Sequence, residues 1–192
     1  MNLLQDLLPM DSLEGQLLLA SEHLVDPNFA KTVVLLIQHS DQGALGVILN
    51  RPTSKTVREL WHELGQPPCP CQQPVHLGGP VSGPLMALHD QAALAEVEIV
   101  PGVYFAAKKP HLDALVQQAD SPLKLFVGHA GWGPGQLEAE LAQGAWRPVP
   151  AAVALVFDDL PDLWQRLWQS LPNPGLASLL HLKHVPPDPS LN

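Results

Sequence analysis

The feature that most narrows the fold is a series of short apolar runs, each of strand length and each closed by turn chemistry. They fall at 15–21 (Gly-Gln-Leu-Leu-Leu-Ala-Ser), 31–39 (Lys-Thr-Val-Val-Leu-Leu-Ile-Gln-His), 44–49, 75–77, 85–89, 97–100, 103–107, 123–127 and 152–157. Short runs rich in β-branched residues are buried-strand signals. None approaches the ~18 apolar residues of a membrane span. Ser40-Asp41-Gln42-Gly43 predicts an antiparallel pair between the second and third runs, and Pro101-Gly102 predicts a hairpin or bend between two more.

Helical periodicity falls between these runs. Thr56 and Glu59 have capping-box spacing, and Val57, Leu60, Trp61 and Leu64 follow one helical face. Leu112, Leu115, Val116 and Ala119 predict a helix opening at Pro110, and Leu137 with Leu141 predicts another that Gly144 stops. Leu160, Leu163, Trp164, Leu167, Trp168 and Leu171 give the clearest helix, whose tryptophans read as core or interface. Leu3, Leu7 and Leu8 predict a short helix packed on the domain, and the Pro-rich tail 186–192 reads as frayed beyond a single domain over 1–185. The order is neither a strict βαβ alternation nor an all-β series, so the expected class is α/β of the α+β type, a mixed sheet with covering helices.

With 46% hydrophobic and 15% charged residues the composition is globular. The amino terminus lacks the basic segment and uninterrupted apolar core of a secretory signal, which predicts a cytoplasmic protein without membrane attachment. A formal charge of −9 opposes direct nucleic-acid binding, and Lys108-Lys109 is the only adjacent basic pair. Cys69 and Cys71 lie in a proline-rich stretch without the second pair that would complete a zinc pattern, so no metal is expected.

Five blocks carry a family resemblance: Asp26-Pro27-Asn28-Phe29; Gly46 with Asn50-Arg51-Pro52; Gly78-Gly79-Pro80-Val81; Leu88-His89; and Gly131-Trp132-Gly133-x-Gly135-Gln136-Leu137-Glu138 with Trp146. On these the chain closely resembles the AlgH/YqgE family of bacterial proteins over residues 12–172. The resemblance implies a bifurcated sheet, part of it curled into a small closed barrel and surrounded by helices. It also implies a label as transcriptional regulators, drawn from a genetic connection to alginate production, with no established chemistry. The chain departs from the family at His129, where a tyrosine is common, and in a shorter stretch between Val81 and His89 that lacks a common arginine.

The glycine-rich segment 128–135 permits positive φ and close approach, and a helix follows it, so its amides could cradle an anion. It is not a dinucleotide fingerprint, since Gln136 stands where a third glycine is needed, nor a P-loop. No cofactor is implied. The structural alternative is that Gly131, Gly133 and Gly135 let Trp132 enter the core while Gln136 and Glu138 cap the helix. Arg51 offers a forked donor for carboxylate or phosphate, or else pairs with an acid such as Glu138 or Asp26. His89 and His129 are acid/base candidates without an assembled triad, and Ser82 lacks a nucleophile elbow.

The residues therefore favour a non-enzymatic regulatory or small-ligand-binding protein. Its expected pocket comprises Asn50, Arg51, Gly78, Gly79, His89, Gly131, Gly133, Gly135, Gln136 and Glu138. The expected partner is a small anionic ligand or another protein. The alternatives are an enzyme acting on a small anionic substrate, with Arg51 as clamp and His89 or His129 as acid/base, and a direct DNA-binding regulator, which the charge disfavours.

Overall fold

The structure, a computed structural model, describes residues 12–171 apart from 119 and 161. The expected amino-terminal helix at Leu3, Leu7 and Leu8 and the tail 186–192 lie outside the described residues. Eleven strands and five α-helices follow in the order β1 (Gln16–Ala20), β2 (Val33–Ser40), β3 (Gly43–Ile48), β4 (Pro52–Thr56), α1 (Val57–Glu63), β5 (Pro74–Leu77), β6 (Met86–His89), β7 (Val97–Val100), β8 (Val103–Ala106), α2 (Lys109–Leu115), β9 (Leu123–Val127), β10 (Ala130–Trp132), α3 (Gln136–Ala142), β11 (Trp146–Pro150), α4 (Val153–Phe157) and α5 (Leu163–Ser170). One 3₁₀ turn, Ala92–Leu94, precedes β7.

The strands form two sheets, ordered β10-β3-β2-β1-β11 and β4-β5-β9-β6-β8-β7. Every neighbouring pair is antiparallel except β5 and β9, which run parallel with Val75 opposite Leu125 and Leu77 opposite Val127. This is the mixed α+β architecture expected. Among the described residues neither strand order returns on itself, so no closed barrel is present in these pairings.

Alternation along the strands sorts side chains into layers. Leu17, Leu19, Val33, Leu35 and Val47 of the first sheet meet Met86, Leu88 and Phe126 of the second, with Leu163 of α5 closing one side. The far face of the second sheet, with Val75, Ala87 and Leu125, packs on Trp61 of α1 and on Leu112 and Leu115 of α2. The far face of the first, with Leu18, Val34 and Ile48, packs on Leu137 of α3 together with Trp132 and Trp146. Each sheet is thus covered on both faces, which is why its strands read as nearly continuous apolar runs.

Local chemistry explains most boundaries. The Thr56 hydroxyl accepts from the Glu59 amide while the Glu59 carboxylate accepts from the Thr56 amide, completing the expected capping box of α1. The two expected turns hold, since β2 with β3 and β7 with β8 are antiparallel pairs. The run 152–157, expected as a strand, instead contains α4, and the strand lies earlier, at β11. The reason is tertiary. The open edge of β1 takes Trp146–Pro150 as partner, and Pro148 and Pro150 are tolerated because β11 is an edge. Pro52 likewise begins β4, the edge strand of the second sheet, on the same grounds.

Candidate functional site

The glycine-rich segment lies where the chain crosses from one sheet to the other. After β9, Gly128 and His129 lead into β10, and Val81 pairs with His129 through two backbone bonds. Gly79 (φ +155°) is pressed so closely against this crossing that a Cβ there would lie 2.2 Å from the His129 carbonyl carbon. Only glycine fits such an approach.

Beyond the crossing, the polar side chains bond to one another. The indole Nε1 atoms of Trp132 and Trp146 donate to the same Glu140 oxygen at 2.9 and 2.8 Å. Gln136 donates to the other Glu140 oxygen at 2.9 Å and accepts from the Gly133 amide at 3.1 Å. Buried His39 accepts at Nδ1 from the Leu13 amide (3.0 Å), which leaves Nε2 as the ring donor to Glu138 Oε1 at 2.8 Å. A backbone bond from its own amide holds the Glu138 carboxyl below its ordinary pKa, reinforced by His39 and opposed by burial. Trp132 is 6% exposed and stacks on Phe29 at 6.3 Å, so it sits in the core as its apolar bulk requires. Gly135, in the left-handed region at φ 71°, is the N-cap of α3 and makes no side-chain capping bond.

Asn50 and Arg51 buckle the preceding loop. Asn50 Oδ1 accepts from the Val33 amide and its Nδ2 donates to the Lys31 carbonyl, each at 2.9 Å. Arg51 Nη2 donates to the carbonyls of Pro27 (2.9 Å) and Ala30 (3.4 Å), and the acids expected as its partners are engaged elsewhere: Glu138 with His39, and Asp26 with the Asn28 amide. Arg51 also meets Gly79 and Gly128 along a groove of about 270 Å³ floored by Leu77 and Val127.

The ten expected site residues are therefore distributed. Arg51, Gly78 and Gly79 gather at the sheet crossing with Gly128. The segment from Gly131 to Glu138 runs along the α3 side of the first sheet. His89 is fully buried on the α2 side of the second sheet, the face it shares with Ala87 by alternation. Its Nδ1 accepts from the Gln91 amide at 3.2 Å, its Nε2 has no partner, and burial lowers its pKa.

A larger cleft opens between the two sheets beside α5. It measures about 670 Å³ and is lined by Lys31, Asn50, His76, Lys124, Asp159 and Trp164 among others. That size suits a small metabolite. His76 of β5 lies opposite Phe126 and turns inward with it. It is 2% exposed, its Nδ1 has no partner, and burial, with help from the Lys124 charge and against that of Asp159, pushes its pKa down to about 4. The imidazole is neutral at physiological pH.

Lys124 of β9 is 5% exposed and reaches Asp159 Oδ1 at 3.0 Å, whereas the Asp159 side chain is 66% exposed. A buried ammonium thus has a partner on the surface. Trp164 forms the wall of the cleft and is fixed because its indole, like that of Trp168, donates to the Ala20 carbonyl at 2.8 and 3.0 Å respectively. Lys31 lies 6.0 Å over the Trp164 ring. Among the described residues no group of three or more His, Cys, Asp or Glu side chains is arranged to hold a metal, and Cys69 and Cys71 are free, buried thiols packed in the core beneath α1 and α2.

Of the cleft residues, sequence reasoning had singled out only Asn50 as a site residue. The available signal was positional: Lys124 shares the inward parity of Phe126 within Leu123-Lys124-Leu125-Phe126-Val127, where a charge needs a reason.

Residues 17–174 match the profile of the AlgH-like family, DUF179. A UPF0301 protein of Streptomyces coelicolor is 38% identical over 95% of this chain and 97% of its own length, and one of Chlorobaculum tepidum is 33% identical over 93% and 95%. Among solved structures, the AlgH protein of Pseudomonas aeruginosa superposes with a TM-score of 0.70 at 29% identity, over 93% of this chain and 98% of that one. A Corynebacterium diphtheriae protein superposes at 0.71 with 24% identity, over 90% and 94%, a likeness of fold.

Proposed function

The chain belongs to the AlgH-like family, and from that premise we propose that it is a non-enzymatic, ligand-responsive regulatory protein whose ligand enters the cleft between the two sheets. The observation that supports this reading is the buried Lys124 ammonium, which lines a cleft of about 670 Å³ beside the His76 imidazole and is paired with an exposed carboxylate. A ligand group that bonds a buried ammonium makes a charge-assisted hydrogen bond, worth about 1.5–3 kcal/mol. Charge supports a regulator that acts through a ligand and protein contacts, since −9 opposes a nucleic-acid backbone.

A thermal-shift screen of amino acids, dicarboxylates, phosphorylated metabolites and nucleotides at millimolar concentration tests the reading. A true ligand raises Tm in a concentration-dependent way, by about 2.7 kcal/mol of added stability at a hundred times Kd. A screen in which no compound raises Tm overturns it.

A further inference from the structure

Lys124 and Asp159 form an ion pair of unequal members. The ammonium is 5% exposed and held on the rigid β9 strand, whereas the carboxylate, 66% exposed at the side chain, stands on the segment between α4 and α5. A buried cation must keep a counter-charge, but nothing requires that the counter-charge be this one. An exposed carboxylate on a connecting segment is the member that can be exchanged.

The rest of the lining decides what would replace it. Three carboxylates, Asp158, Asp159 and Asp162, face the cleft against two ammonium groups, Lys31 and Lys124. With His76 neutral, a plain anion would add its charge to a site already carrying an excess of negative groups. A plain cation would satisfy the carboxylates and leave the Lys124 pair untouched. A molecule bearing both a carboxylate and an ammonium group meets both sides at once.

Resting on the ligand-binding reading above, we infer that the cleft takes a small zwitterion of the amino-acid class. Its carboxylate replaces Asp159 at the Lys124 ammonium, and its own ammonium group is received by Asp159 and the neighbouring carboxylates Asp158 and Asp162. The His76 ring, which lines the same space, lies beside the ligand's carboxylate and reports its arrival, and Trp164 forms the apolar wall along its carbon chain. The exchange is one ion pair for two, with no proton transferred.

The test is an NMR titration of the His76 ring Cε1–H, assigned with His76→Gln. The probes are 4-aminobutyrate and L-alanine as zwitterions of two lengths, with butyrate and butylammonium carrying one charged group each. The expected result is a saturable shift with at least one zwitterion and a Kd about tenfold lower than for either single-charge probe, the scale of one charge-assisted hydrogen bond. Asp159→Asn keeps a polar oxygen near Lys124 while removing the charge, and, with its fold verified by the amide spectrum, it is expected to abolish that preference while butyrate, supplying the missing counter-charge, binds more tightly than to the unsubstituted protein. If butyrate or butylammonium binds as tightly as both zwitterions, or if Asp159→Asn keeps the preference, the zwitterion inference fails and the cleft reading survives. If no probe moves His76 while the broader screen yields a ligand, the inference alone fails; an empty screen as well defeats both.

Discussion

The glycine-rich segment and the cleft are built on opposite principles. Beside α3 the polar side chains around Trp132 meet one another, with two indoles and Gln136 converging on Glu140 and Glu138 meeting His39, while at the crossing itself the buried His129 Nδ1 has no partner. In the cleft, His76 is buried without a partner at Nδ1, and buried Lys124 depends on an exposed carboxylate. The network beside α3 has the completeness of a scaffold. The cleft, with no motif, has the incompleteness of a site. A saturated polar network has already used the bonding capacity that a ligand would need.

The sharpest way to break this contrast is at Gly79. An alanine there places a Cβ against the His129 backbone at 2.2 Å with no flexible side chain to yield. Overpacking and backbone strain each cost about 1–3 kcal/mol, so Gly79→Ala is expected to lose about 4 kcal/mol, or about 10 °C in Tm by calorimetry. A loss of ligand response at unchanged Tm would instead make the crossing a binding element.

The next effect belongs to the cleft. Burial drops the His76 pKa from 6.5 to about 4, so between those values the unfolded chain takes up a proton that the folded chain refuses. Stability therefore falls as pH is lowered through that window, by about 3 kcal/mol at 1.36 kcal/mol per unit. Urea unfolding at pH 7 and pH 4 measures the fall, and His76→Gln should flatten it. The depressed carboxyl of Glu138 acts in the same direction, its contribution being lost as pH falls through its folded pKa. A slope unchanged in His76→Gln would assign the acid sensitivity to the depressed carboxyls, Glu59, Glu96 and Glu138, rather than to the cleft.

Glu140→Gln tests the saturated network more gently. One oxygen that accepts from Gln136 or from the two indoles becomes an NH₂ group, and the charge assistance disappears, for an expected loss of about 2 kcal/mol by chemical denaturation. Ligand binding should be unaffected. The smallest change is expected for Arg51→Met, which removes the bonds to the Pro27 and Ala30 carbonyls at a cost of about 1 kcal/mol. If that variant binds the cleft ligand less well at unchanged stability, Arg51 belongs to the site after all.

Several elements were legible because a single local rule governs them. The Thr56 capping box, the turn at Ser40–Gly43 and the Pro101-Gly102 hairpin each depend on a few adjacent residues, and all three are present. The run Val153–Phe157 was misread because five apolar residues in a row have no periodicity to separate strand from helix. Trp132 was legible as an anchor, but its acceptor was not: Glu140 lies beyond the motif, on the second turn of the following helix. The cleft was hidden for a related reason. His76, Lys124 and Asp159 come from three separate segments, and none has an unusual neighbour in sequence.

The sequence by itself determined the strand-rich mixed class, most element positions, the family and the glycines at the crossing, because periodicity, capping and positive φ are properties of adjacent residues. Tertiary structure alone decided that the edge of β1 would recruit Trp146–Pro150 and that the sheets would remain open among the described residues. It also decided that an inward histidine and lysine on the parallel strands would share a space with an aspartate some 35 residues further along the chain. Burial and charge pairing arise between segments, so the residues that carry them look ordinary until the chain has closed around them.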